Sequence, residues 1–198
     1  METQDISLEV NKQLQEYIEN TILPQYKLNG KAHGIKHVKQ VLQRASKISK
    51  KYSINNNILY TAVAYHDIGD HIDRKQHEII SAQIMYEDTT LNQFFNPEEK
   101  EIIKQAIEDH RASLRGEPRS VYGKILSSAD KNTDINEYFE RTMEYNKEHF
   151  PNSSKEENID MAYEHAKKKF GINGYATKNN YIENVEYNLY LKQIQALI

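Results

Sequence analysis

The sequence predicts an all-α protein, and three observations carry that expectation. Glycine and proline number only 7 and 4 in 198 residues, too few for the many turns of a sandwich of short strands. Apolar residues recur at spacings of three and four along most of the chain, the period of helices with one buried face. The breaks between these runs are short and polar, and several carry helix-capping residues. Hydrophobic residues make up 38% of the chain, enough for the continuous core of a mid-sized domain.

The elements follow in order. A first helix is expected over residues 6–23, stopped by Pro24. A second covers residues 33–52, with Ile35, Val38, Val41, Leu42, Ala45 and Ile48 forming its apolar stripe. Asn55, Asn56 and Asn57 then offer amino-caps to a third helix carrying Ile58, Leu59, Ala62 and Val63. A fourth starts near His77 and holds Ile80, Ala82 and Ile84. Asn96-Pro97-Glu98-Glu99 is the clearest start signal, with an amino-cap, a proline at the first helical position and a glutamate at the third; its helix runs to about His110. Residues 111–119, holding Gly116 and Pro118, form a loop. Helices over 120–131 and 134–149 follow. Ser154 with Glu157 makes a second capping box, opening a helix that lasts to Phe170. Residues 171–174 break it, and a last helix covers 178–196.

Composition excludes several functions. The formal net charge is 26 − 29 = −3 and the pI is about 6.3, which argues against generic nucleic-acid binding through phosphate neutralisation. No apolar run reaches the length of a membrane span. The amino terminus lacks a basic-then-apolar secretory pattern, so a cytoplasmic location is expected. Cysteine is absent, which removes disulfides, thiol catalysis and cysteine-based structural zinc.

The informative residues are histidines and carboxylates on apolar faces. His37 lies four residues before Val41 on one stripe. His66 follows Val63 and Ala62 by three and four. His77 precedes Ile80, Ser81 and Ile84, and His110 follows Ile107 and Ala106. Asp130 follows Leu126 by four. One such histidine is usually a hydrogen-bonded core residue; several together with a carboxylate call for pairing or a metal. His66-Asp67 puts two donor types on successive positions at a helix terminus. Imidazoles and carboxylates without thiolates favour Mn²⁺, Fe²⁺, Co²⁺, Ni²⁺ or Mg²⁺ over closed structural zinc.

These residues make the sequence recognisable. His37, the doublet His66-Asp67 and Asp130, in an all-helical chain, resemble the H…HD…D signature of the HD superfamily of metal-dependent phosphohydrolases. The surrounding words agree: His33-Gly34-Ile35-Lys36-His37-Val38, then Ala62-Val63-Ala64-Tyr65-His66-Asp67-Ile68-Gly69, then Leu126-Ser127-Ser128-Ala129-Asp130-Lys131. The resemblance implies a compact HD-like bundle whose core covers about 25–131, completed or capped by helices within 132–198, the whole 1–198 being one domain. It implies that His37, His66, Asp67 and Asp130 hold one divalent metal, with His33 orienting the set.

Some branches of the superfamily place two more histidines between the doublet and the last aspartate and hold a second metal with them. His77 and His110 occur in that order. His77 comes 11 residues after His66, closer than in those branches, so one ion is favoured over two and substrate contact is the alternative for this pair. Asp67 would ligate the metal and orient its water, and Asp70 is the candidate general acid or base. Phosphate needs cations, and Lys36, Arg74, Arg111, Arg115, Arg119 and Lys131 flank the signature residues; the loop holding Arg111, Arg115 and Arg119 is the strongest source.

The remaining residues read as structural. Tyr181, Tyr187 and Tyr190 fit packing of the last helix. His149, His165 and the run Lys167-Lys168-Lys169 read as solvated, and His71 as exposed. The functional expectation is hydrolysis of a phosphoester or phosphoanhydride bond in a small phosphorylated metabolite, a nucleotide foremost. The alternatives are a non-catalytic metal- and nucleotide-binding sensor and a di-iron oxygenase. The C-terminal helices would cap the site, select the substrate or build a homodimer interface.

Overall fold

A helix that is apolar on every side belongs at the centre of a bundle, and α3 (Asn56–Tyr65) is that helix. Every residue from Ile58 to Tyr65 is buried. Around it pack α2 (Ile35–Ser49), α5 (Pro97–Glu108) and α6 (Val121–Ala129), with α4 (His77–Glu87) laid against α5. In this computed structural model, residues 8–30, 33–178 and 180–198 are described, and among them there is no strand.

The capping signals act as the sequence predicts. The Asn96 side chain accepts from the Glu99 amide while the Glu99 carboxylate accepts from the Asn96 amide. Ser154 and Glu157 do the same at the start of α8 (Lys155–Phe170), and Asn55 caps α3 through the Asn57 amide.

Two boundaries differ from expectation. Helix α1 (Lys12–Tyr17) is capped by Asn11 and does not end at Pro24. It passes into a π-helical turn over Ile18–Ile22 and then a 3₁₀ segment over Leu23–Leu28. Pro24 sits in the first turn of that segment, where a missing N–H costs nothing. The expected start at residue 6 lies outside the described residues. At the other end, the last helix is two pieces, α9 (Tyr175–Lys178) and α10 (Val185–Leu197), because the Asn184 side chain accepts from the Tyr187 amide and starts α10 afresh.

The core has two parts. The larger collects Leu14, Ile18, Val38, Val41, Leu59, Val63, Met85, Ile103, Ile107 and Leu126 from the first six helices. The smaller joins Tyr138 of α7 (Ile135–His149) to Ala166 and Phe170 of α8, Ala176 of α9, and Tyr187, Tyr190 and Ile194 of α10. Tyr187 and Tyr190 are thus packing residues, as expected. Tyr181 lies outside α10, and its hydroxyl donates to the Gly116 carbonyl at 2.7 Å. Asn184 Nδ2 reaches the Ser128 hydroxyl at 3.2 Å, tying the second part to the end of α6. No described helix is long and apolar enough to cross a membrane.

Candidate metal centre

Five helix ends meet at one point. His37 stands in the first turn of α2, His66 ends α3 with Asp67 next to it, and His77 opens α4. His110 follows the end of α5, and Asp130 ends α6. Three of these helices arrive by their C-termini, whose partial negative charge favours a cation.

The donor atoms converge on Asp67, and its two oxygens face different partners. Oδ2 lies 3.6 Å from His37 Nε2, 3.5 Å from His66 Nε2 and 2.8 Å from His33 Nδ1. Oδ1 lies 3.3 Å from His77 Nε2 and 3.5 Å from His110 Nε2. Asp130 Oδ1 closes the first side, 3.0 Å from His37 Nε2 and 3.8 Å from His66 Nε2. Three overlapping triads here could each hold a metal ion: His33, His37 and Asp67; His37, His66 and Asp130; His66, Asp67 and His110.

The hydrogen bonds behind the rings show what the cluster lacks. His66, His77 and His110 each donate Nδ1–H to a carbonyl, those of Val63, Arg74 and Ile107, at 2.7, 2.9 and 2.6 Å. Those carbonyls fix the tautomer and leave the Nε2 lone pairs free. His77 Nε2 and His110 Nε2 then stand 3.3 Å apart, lone pair against lone pair, unless a proton or a metal ion lies between them. His37 Nδ1 is buried and has no partner. This donor set, neutral nitrogens with carboxylates and no sulfur, fits a divalent ion.

Charge agrees. Burial, with the Arg141 charge adding to it, pushes His37 down to about 3, and burial lowers His66 as well. Burial would raise Asp67, but His66 and hydrogen bonds from His110 and His33 outweigh it and hold the carboxyl well below its usual range. Asp130 is held down likewise, by His37 above all. Burial would lower His110, yet the Asp67 carboxylate lifts it to about 8.

Residues 34–133 match the family model of the HD domain. The chain belongs to the HD domain family. An uncharacterized protein of Clostridium beijerinckii (strain ATCC 51743 / NCIMB 8052) is 39% identical over 104 residues, which cover 50% of this chain and 63% of that relative, less than two thirds of its length. The fold also matches the 1.45 Å crystal structure of a predicted HD superfamily hydrolase from an uncultured Thermotogales bacterium, with a TM-score of 0.55 and 18% identity over 100% of this chain and 97% of that one.

Behind the HD doublet stand residues that the sequence reading passed over. The Tyr26 hydroxyl donates to the Ala64 carbonyl at 3.0 Å and receives the Asp67 amide at 3.3 Å. Asn29 Nδ2 donates to the Asp67 carbonyl at 2.8 Å, and Asn29 Oδ1 accepts from the amide of exposed His71. Their signal was a polar atom on an otherwise apolar run, which periodicity counts as noise.

The expected phosphate-binding residues scatter. Arg111 pairs with Glu78 at 3.0 Å and donates to the Lys75 carbonyl. Arg119 is held by Glu108 and Asp109 at 2.6 and 2.8 Å. Lys36 and Arg115 are exposed and line no part of the cleft that opens on the cluster. Lys131 is buried with its ammonium 4.7 Å from the Tyr187 ring, and burial lowers it to about 8. Asp70 grips Arg74 at 3.0 Å. Only Arg74 of this group lines that cleft, which holds about 500 Å³ between His33 and Asp130 on one side and α7 and α8 on the other.

Two readings of single residues need correction. Lys169 is not on a solvated face. It points into the cleft, half-buried against the rings of Tyr138 and Phe170, because α8 turns that edge toward the HD core. His165 is exposed but not merely solvated: it lines the same cleft, and its Nδ1 meets the Tyr138 hydroxyl at 2.9 Å. His149 is exposed and stacks on Tyr145 at 3.9 Å.

Proposed function

We propose that this HD protein is a metal-dependent phosphohydrolase cleaving a phosphoester or phosphoanhydride bond of a small phosphorylated metabolite of nucleotide size, with two divalent ions. The observation that carries the reading is Asp67 standing between two sets of ring nitrogens, one oxygen toward His37 and His66 and the other toward His77 and His110. His37, His66, Asp67 and Asp130 would hold one ion, and Asp67, His77 and His110 the other. This two-sided arrangement supports two ions against the sequence expectation of one.

A divalent ion held by these residues would supply a water acidified toward neutral pH and would offset charge on the phosphoryl oxygens. The chain's own groups do the rest. His33 donates to Asp67 and fixes its plane. The carbonyls of Val63, Arg74 and Ile107 keep three rings in the ligating tautomer. Asp70 holds Arg74 at the cleft wall, where the guanidinium also lies 5.0 Å over the Tyr145 ring. The cleft of about 500 Å³ lies within the size range of small-molecule sites.

The test is phosphate release from a nucleotide panel by chelator-stripped protein resupplied with Mn²⁺, Fe²⁺, Co²⁺, Ni²⁺ or Mg²⁺. Turnover should require metal and vanish in Asp67→Ala with helical content unchanged. Retained turnover in that variant would sink the reading. Metal binding without turnover would move it to a sensor, and bound iron without phosphate release to an oxygenase.

A further inference from the structure

The cleft beside the metal centre carries more positive charge than its own carboxylates balance. Arg74 is matched by Asp70 at 3.0 Å. Arg141 of α7 and Lys169 of α8, both half-buried on the opposite wall, are not matched. The guanidinium reaches Asn132 Oδ1 at 3.5 Å. The Lys169 ammonium has rings beside it, with centroids 5.3 and 5.8 Å away. Among the described residues, neither cation has a carboxylate within 4 Å. Asp130 is the acidic group whose field favours Lys169, but that carboxylate is committed to His37.

Two cations facing one recess without a counterion are costly in a partly desolvated site. Burial, and after it the charge of Arg141, pushes Lys169 down to about 8. An anion placed between them removes both the repulsion and the desolvation cost. The ligands of the metal centre lie on α2 to α6, whereas Arg141 and Lys169 come from α7 and α8, so the cleft has two separate electrophilic walls.

We propose that the cleft takes a metabolite with two separate anionic groups, its scissile phosphoryl group at the HD cluster and a second group, phosphate or carboxylate, held by Arg141 and Lys169. This rests on the phosphohydrolase reading above and adds a substrate class to it. Arg141 supplies a planar fork and Lys169 a point charge. Thr142, Tyr145 and Asn132 line the space between the walls with hydrogen-bonding groups, and Met161 and Phe150 add apolar surface. Phosphomonoesters with no second anionic group would leave the second wall unpaired.

The test is calorimetric binding of non-hydrolysable α,ω-alkane bisphosphonates to the metal-loaded full chain, with spacers from about two to about six carbons, because a linker of matching span gives the largest gain. At one spacer length the bisphosphonate should bind about ten-fold or more tightly than the alkyl monophosphonate of equal length. Arg141→Met and Lys169→Met should each erase that advantage while monophosphonate affinity and metal content stay unchanged. Matching phosphonocarboxylates tell the two sources apart: the series that keeps the gain names the second group. No gain in either series overturns the proposal, and so does an equal loss of mono- and bisphosphonate affinity in the variants. Failure of the underlying reading looks different, since the nucleotide panel would then show no metal-dependent phosphate release whether or not the bisphosphonates bind.

Discussion

At the scale of single residues, the centre is built from groups with no use for one another in isolation. His77 Nε2 and His110 Nε2 face each other at 3.3 Å while both Nδ1–H groups are spent on carbonyls. This pair therefore makes a sharp test of a second ion. His77→Ala or His110→Ala should halve the metal bound per chain, as read by elemental analysis of the dialysed protein, while Asp67→Ala should remove nearly all of it. Metal content unchanged in both histidine variants would remove the second ion. His37, His66, His77, His110 and Asp130 were legible because each is a polar group on an apolar stripe, a conflict visible in one dimension, and Asp67 because it forms a doublet with His66. Arg141 and Lys169 were not, because each lies on a helix face that reads as ordinary solvated charge. Only the docking of α7 and α8 beside Asp130 turns them inward.

At the scale of elements, the position of the centre depends on how tightly the turn after the HD doublet meets α4. Gly69 donates its amide to the Ser81 hydroxyl at 2.9 Å, and a Cβ there would meet Ile80 Cγ2 at 2.7 Å and the Ser81 amide nitrogen at 3.0 Å. Such overlap costs on the order of 1–3 kcal/mol where the neighbours cannot move freely. The backbone nitrogen cannot yield without shifting α4, which His77 opens. Gly69→Ala should therefore lower the melting temperature and, in the still-folded protein, weaken metal retention. A variant that melts lower but keeps its full metal content would show that α4 does not transmit the strain. Capping residues made most of these elements readable, as at Asn96 and Ser154. The π-helical turn over Ile18–Ile22 was hidden because the chain stays helical through it and no stop signal marks it. The start of α10 rests on a local cap, Asn184 on the Tyr187 amide, that stands among residues read as one continuous helix.

At the scale of the whole molecule, the C-terminal helices spend stability where the cleft needs charge. Lys169 has an ordinary value of 10.5 in the unfolded chain and about 8 in the folded one. Between those values the unfolded chain binds more protons, so stability rises with pH across that window. Below about 8 both states carry the charge and the cost of burying it is present in full; above about 10.5 it is gone. Lys169→Met keeps the aliphatic stem that packs on Tyr138 and Phe170 and removes the charge. Its melting temperature should exceed that of the parent at pH 7, and the difference should shrink as pH rises from 8 toward 10.5, measured by thermal denaturation in low-salt buffer free of phosphate. Adding a tight-binding bisphosphonate should reverse the order, because a ligand that binds only the folded state stabilises the chain able to hold it. A variant less stable than the parent at every pH would mean that the ammonium is already satisfied in the folded chain, and the cleft would then have no charge left to offer a substrate.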